Sequence, residues 1–188
     1  MASQLCLVLG GVRSGKSAFA EGRVAALSQG PVLYVATGLV VDDEMEERIQ
    51  RHQASRPREW STLEEPVELA DRLAPLLNRD GSPGAVIIDS VDVWVANLLL
   101  EHQSETKQVL EKKVMTQAEK FLALAADASQ AFVVVSSEVG LSLVPPEPLG
   151  RRFQDLLGMV NQKIAASATE VYLVIAGIPS KIKPSSAE

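Results

Sequence analysis

The sequence predicts an α/β domain built on a mostly parallel sheet that helices cover on both faces, and three observations carry that expectation. Short apolar runs rich in β-branched residues recur at Leu5–Leu9, Val32–Thr37, Ala85–Asp89, Phe132–Ser136 and Val171–Ala176. The stretches between them are mostly long enough to hold helices. The runs are apolar at nearly every position instead of every second one, which suits parallel strands buried on both sides.

The chain totals agree with one domain. With 188 residues and 46% apolar content, a single domain over 1–188 buries a substantial core without metals or disulfides. Residues 179–188 read as a loose C-terminal tail. The one cysteine, Cys6, cannot form an internal disulfide, and its place inside Leu5–Leu9 predicts a buried thiol in a strand. A net charge of −6 and a pI near 5.1 argue against a general nucleic-acid binder, which would show a basic face to phosphates. Met1-Ala2-Ser3-Gln4 leads directly into the first strand, and no apolar segment is long enough to span a bilayer. A cytoplasmic, reducing setting is therefore expected.

Taken in order, the first strand leads into a glycine-rich turn and a helix, and the second strand into an acidic cluster. Asp42-Asp43-Glu44 opens a helix, because carboxylates in the first turn meet unpaired N–H groups. Pro57 closes it, and Met45, Ile49 and His52 share one of its faces. Asn78–Gly84 and the proline-rich Val144–Pro148 read as loops. Trp60 and Trp94 read as core anchors.

Gly10-Gly11-Val12-Arg13-Ser14-Gly15-Lys16-Ser17 satisfies G-x-x-x-x-G-K-[ST] between an expected strand and an expected helix. In that context the motif defines a P-loop NTPase. Glycines let the loop fold back so that its N–H groups point at phosphate oxygens, and the helix adds its N-terminal dipole. Lys16 then reaches the β and γ phosphates, and the Ser17 hydroxyl is offered to Mg2+. Asp89, closing the run Val86-Ile87-Ile88, is the expected second metal-site acid, with helix N-capping as its alternative role. Asp92 follows three residues later.

Arg48, Arg51, Arg56 and Arg58 surround His52. Guanidinium forks match phosphate geometry, and nearby cations favour the neutral, nucleophilic imidazole. His52 in that company is a candidate to attack phosphorus. The residues alone equally allow a solvated surface histidine on an arginine-rich face. His102 has no comparable surroundings and reads as surface.

Together these residues resemble the bifunctional adenosylcobinamide kinase / adenosylcobinamide-phosphate guanylyltransferase family of cobalamin biosynthesis. The likeness rests on Gly10–Ser17, Tyr34-Val35-Ala36-Thr37-Gly38, Asp42-Asp43-Glu44-Met45, and the pattern Arg48, His52, Arg56-Pro57, Trp60. It continues through Val86–Asp89, Trp94, Asn97-Leu98-Leu99, Glu138-Val139-Gly140, Val144-Pro145, Arg152-Phe153 and Asn161-Gln162. The resemblance implies a RecA-like sheet, guanylylation of His52 by GTP, and GTP contacts from Ala36, Thr37, Gly38, Gln53, Arg56, Pro57, Arg58, Glu59, Glu64 and Asp89. It also implies ATP or GTP as phosphate donor, corrinoid small-molecule acceptors and a homotrimer. Two departures stand out: Ser90 and Asp92 replace the Cys and Thr common after the acid, and Ser137 replaces a common Asn. Other readings of the same motif are a P-loop small-molecule kinase of another pathway, without a covalent intermediate, and a nucleotide-binding switch without chemistry.

Overall fold

The computed structural model describes residues 4–39 and 57–183. The order is β1 (Leu5–Gly10), α1 (Lys16–Leu27), β2 (Val32–Ala36), β3 (Ser61–Glu64), α2 (Leu69–Leu77), β4 (Ala85–Asp89), α3 (Val91–Glu101), α4 (Lys107–Asp127), β5 (Ala131–Ser137), α5 (Pro148–Ser167), β6 (Glu170–Ile175) and β7 (Ile178–Lys183). The seven strands form one sheet in the order β3-β2-β4-β5-β1-β6-β7. All pairings are parallel except β6 with β7. β5 thus lies between β1 and β4, the strands that carry the glycine-rich turn and Asp89.

The apolar runs divide between two layers because successive side chains leave a strand on opposite faces. Leu5, Leu7, Leu9, Val86, Ile88, Phe132 and Val134 join a core with Leu73 of α2, Trp94 of α3, Phe121 of α4 and Leu157 of α5. Cys6, Val8, Tyr34, Ile87, Val133 and Val135 face the other way and pack with Ala20 and Val24 of α1. Helices therefore cover both faces. Burial and the neighbouring Glu170 carboxylate push the Cys6 thiol up to about 11, which leaves it protonated and inert. Trp94 is buried and its indole N–H donates to Val67 O at 2.7 Å, while Trp60 packs at the edge of the second core.

Two strands depart from expectation. β3 is a four-residue edge strand with a mostly exposed, polar sequence, so it lacks the apolar run that marks the others. Pro179–Lys183, expected in the tail, belong to β7, which closes an antiparallel hairpin on β6 through Ala176 and Gly177 at φ 51° and 82°. Two successive residues of positive φ match the right-handed twist of a hairpin. Alanine is an uncommon choice there, which hides the turn from the sequence. Pro179 and Lys181 suit an edge strand, where a missing N–H and exposed ammonium groups discourage further pairing. The expected helix from Asp42 to Pro57, with Met45, Ile49 and His52, lies outside the described residues except for Pro57.

Candidate functional site

In a parallel sheet every strand ends on the same edge, and here that edge collects most of the expected site. Gly10 ends β1 and is in register with Ser137 of β5 and Val174 of β6, while Ala36 of β2 is in register with Asp89 of β4 and Glu64 of β3. Open sheets place ligands at such carboxyl ends.

The turn after β1 owes its shape to positions that no larger residue fits. A Cβ on Gly10 would stand 2.4 Å from Ser14 Oγ and 2.7 Å from Val174 O. Gly15 has φ 91°, and a Cβ there would meet Gly177 Cα at 3.2 Å. Arg13 also sits in the left-handed region, at φ 56°. Ser14 N donates to Gly11 O at 3.2 Å, and Gly177 N donates to Ser14 O at 2.7 Å, so the β6–β7 turn braces the loop from outside. Lys16, the first residue of α1, donates from Nζ to Gly11 O at 3.2 Å, which holds the ammonium against the loop. Gly11, Val12 and Arg13 are exposed, and Ser17 is half-buried at the head of the helix. Ser14 Oγ is buried and has no hydrogen-bond partner among the described residues.

The ends of β2 and β4 are joined by a polar strap. Thr37, fully buried, accepts from Ser90 N at 2.9 Å and donates to Ser90 O at 2.8 Å. Asn97 of α3 donates to Thr37 O at 2.9 Å and Pro66 O at 3.1 Å. The Thr37 hydroxyl is thus committed to Ser90, leaving Ala36 and Gly38 as the more accessible members of that trio. Asp89 does not cap α3, whose N-cap is Ser90; its Oδ2 accepts from Tyr34 at 2.6 Å. Asn97 and Tyr34, named in the sequence only as part of the family likeness, prove to be supports of the site, a role that no local spacing reveals.

A third unit lies over the end of β5. Ser137 donates to Asp92 Oδ2 at 2.9 Å, and Asp92 Oδ1 is buried with no partner among the described residues. Next to it Ser136 donates to Asn161 Oδ1 at 2.7 Å, while Asn161 donates to Ser137 O at 3.0 Å. Asp92 and Ser137, 45 residues apart in sequence, therefore touch each other.

Pro57, Arg58 and Glu59 stand apart from this edge. They are exposed and lead into the start of β3, whereas Glu64 ends it, roughly 10 Å away at about 3.3 Å per residue. His52, Gln53 and Arg56 lie outside the described residues. His102, expected on the surface, is instead half-buried beside Glu105 at 3.8 Å.

The oxygens of Ser17 and Asp89 suit magnesium, a hard cation that in phosphate sites takes one or two protein oxygens and fills its shell with water and phosphate. Among the described residues no group of three or more His, Cys, Asp or Glu is placed to hold a metal, so a cage supplied wholly by protein is not present there. The orphaned Oδ1 of Asp92, beside Ser137 at the end of β5, also fits a polar ligand in this region.

A glycine-built loop between a parallel strand and a helix, with an acid ending a strand two places away, defines a P-loop nucleotide-binding protein. Flagellar accessory protein FlaH from Methanocaldococcus jannaschii superposes with a TM-score of 0.51 over 97% of this chain and 79% of its own, at 15% identity, a likeness of fold alone. The chain belongs to the cobinamide kinase / cobinamide phosphate guanyltransferase family, whose sequence pattern it matches over residues 6–182. It is 38% identical to the bifunctional adenosylcobalamin biosynthesis protein CobU of Escherichia coli over 186 residues, 95% of this chain and 99% of that one. The CobU of Salmonella typhimurium has the same identity and coverage. The CobP of Pseudomonas aeruginosa is 38% identical over 94% of this chain and 96% of its own.

Proposed function

We propose that this chain phosphorylates the hydroxyl of the aminopropanol arm of adenosylcobinamide and then transfers GMP from GTP to that phosphate, giving adenosylcobinamide-GDP. The observation that carries the reading is the convergence of the Gly10–Ser17 loop, Ala36, Asp89 and Glu64 on one sheet edge, in a chain that spans its bifunctional relatives almost end to end.

In the first reaction the acceptor oxygen attacks the γ phosphorus of ATP or GTP, and the bond to the β-γ bridging oxygen breaks. The loop N–H groups and Lys16 hold the phosphates in line, so positioning and charge compensation supply most of the rate. Ser17 and Asp89 hold Mg2+, which when bound offsets charge on the phosphate oxygens. In the second reaction a ring nitrogen of His52 attacks the α phosphorus of GTP and pyrophosphate leaves with the bonding electrons. The phosphate made earlier then attacks the guanylyl-histidine, and the P–N bond breaks in turn. Covalent catalysis replaces one difficult transfer with two easier ones. Arg56 and Arg58 supply the charge clamp, with Gln53, Pro57 and Glu59 beside the nucleotide.

The partners in this reading are small molecules, and the setting is cytoplasmic. Among the described residues no helix is long and apolar enough to cross a membrane. The position of Pro57–Glu59 at the far end of β3 is consistent with a homotrimer in which a neighbouring copy completes each site. The test is incubation of the full chain with GTP labelled at the α phosphate. An acid-labile, alkali-stable adduct that is discharged onto cobinamide phosphate supports the reading. Label that never enters the protein, with cobinamide phosphorylated normally, supports a plain kinase instead.

A further inference from the structure

The pair formed by Asp92 and Ser137 has no part in the motif, yet Ser137 ends the strand that lies between the two strands carrying the groups assigned to the metal. The strand order is the key: β5 lies between β4, which ends in Asp89, and β1, which ends in Gly10 and leads to Ser17. Ser137 is the last residue of β5 and the register partner of Gly10. Asp92, in the first turn of α3, accepts its hydroxyl hydrogen at 2.9 Å. The carboxylate is therefore held over the strand that separates the metal acid from the phosphate loop.

Among the described residues, only one of its oxygens is used. Oδ1 is buried and without a hydrogen-bond partner among the described residues, and a carboxylate oxygen in that state loses hydration without replacing it. A negative charge near a triphosphate is also repulsive unless a cation stands between them. Both costs are removed together if a water of the magnesium shell donates to Oδ1. Carboxylates commonly act in this way, orienting a metal's ligands instead of binding the ion directly.

We infer that Asp92, oriented by Ser137, is an outer-shell acceptor for a magnesium-bound water, making it a positioning residue for the metal–nucleotide complex. The inference rests on the nucleotide reading given above. It gives two residues outside the motif one purpose, since Asp92 and Ser137 are two halves of one hydrogen-bonded device.

The test uses the full chain with a non-hydrolysable GTP analogue and Mn2+ as the paramagnetic stand-in for magnesium, read by electron paramagnetic resonance. Asp92→Asn keeps the shape and the bond from Ser137 but weakens the acceptor. The expected result is Mn2+ bound to the complex about tenfold more weakly, within the range of about 10- to 100-fold usual for outer-shell partners. Nucleotide binding in EDTA should be unchanged or slightly tighter, because a negative charge has been removed. Ser137→Ala should weaken Mn2+ in the same direction by less. Asp92→Thr, which removes the carboxylate but keeps a polar side chain, guards against a misfolded Asn variant and should also weaken Mn2+. Unchanged Mn2+ affinity in both Asp92 variants overturns the inference, as does equal weakening with and without metal, which would indicate a structural role alone. Failure of the unmodified chain to bind metal and nucleotide together would overturn the nucleotide reading itself.

Discussion

The phosphate loop and the strap between β2 and β4 serve the same sheet edge but are built in opposite ways. The loop depends on missing side chains: Gly10 has no room for a Cβ beside Ser14 and Val174, and Gly15 takes a positive φ against Gly177. The strap depends on side chains being present, with Thr37 closing buried hydrogen bonds to Ser90 and Asn97 a partly buried one to Pro66. One region is shaped to leave its backbone exposed, and the other uses its polar groups to hold strands together. Damage to the first should therefore appear in chemistry and damage to the second in stability.

The largest effect is expected at Lys16. Lys16→Ala removes the cation that compensates charge on the transferred phosphoryl group, and both activities should fall by about 10²-fold or more, while the melting temperature hardly moves. Steady-state assays of both reactions on one preparation check this. Next comes Gly10→Ala, whose new Cβ meets a backbone carbonyl that cannot easily yield. Nucleotide affinity should drop at least tenfold and stability by about 1–3 kcal/mol, the usual cost of overpacking. Titration with a fluorescent GTP analogue and urea unfolding separate the two losses.

At the strap the balance should reverse. Thr37→Val keeps the shape and removes a hydroxyl that both donates and accepts in a fully buried position. Urea unfolding should show a loss of about 1–3 kcal/mol, the cost of orphaning buried groups, with nucleotide affinity changed much less. An equal or larger loss of affinity would mean that the strap contacts the ligand.

The smallest effect concerns the ion cluster behind the loop. Glu170 of β6 accepts from Arg23 of α1 at 2.5 Å and Lys181 of β7 at 2.7 Å, tying the helix that begins at Lys16 to the hairpin that braces the loop. Burial opposes ionisation of Glu170, but the bonds from Lys181 and Arg23 outweigh it and hold the carboxyl below its usual range. A depressed folded-state value contributes stability above the unfolded value, about 4.3 for glutamate, and loses it as pH falls through the folded one. Stability measured from pH 7 down to pH 3 should therefore fall more steeply in the unmodified chain than in Glu170→Gln. Parallel curves would remove the cluster from the account.

What the sequence disclosed follows the same division. The loop was legible because Gly10, Gly15, Lys16 and Ser17 are required in fixed order by the backbone path and the phosphate chemistry. The apolar strands were legible because burial on both faces leaves continuous runs. The strap was not, since Thr37 and Asn97 meet Ser90 and Pro66 only after the sheet forms, and no local spacing encodes that meeting. β3 was hidden by its short, polar, edge-strand sequence. β7 was hidden by an alanine in a conformation that usually selects glycine or asparagine. The pairing of Asp92 with Ser137 likewise joins residues far apart in sequence and arises only in three dimensions.

The central claim is that one phosphate loop serves two transfers and that His52 carries the guanylyl group in the second alone. The most direct measurement compares both reactions for His52→Ala and the unmodified chain, following γ-phosphate transfer to cobinamide and GMP transfer to cobinamide phosphate. Guanylyl transfer should be abolished while much of the kinase activity survives. Retention of guanylyl transfer, or equal loss of both reactions in a folded variant, would contradict that claim.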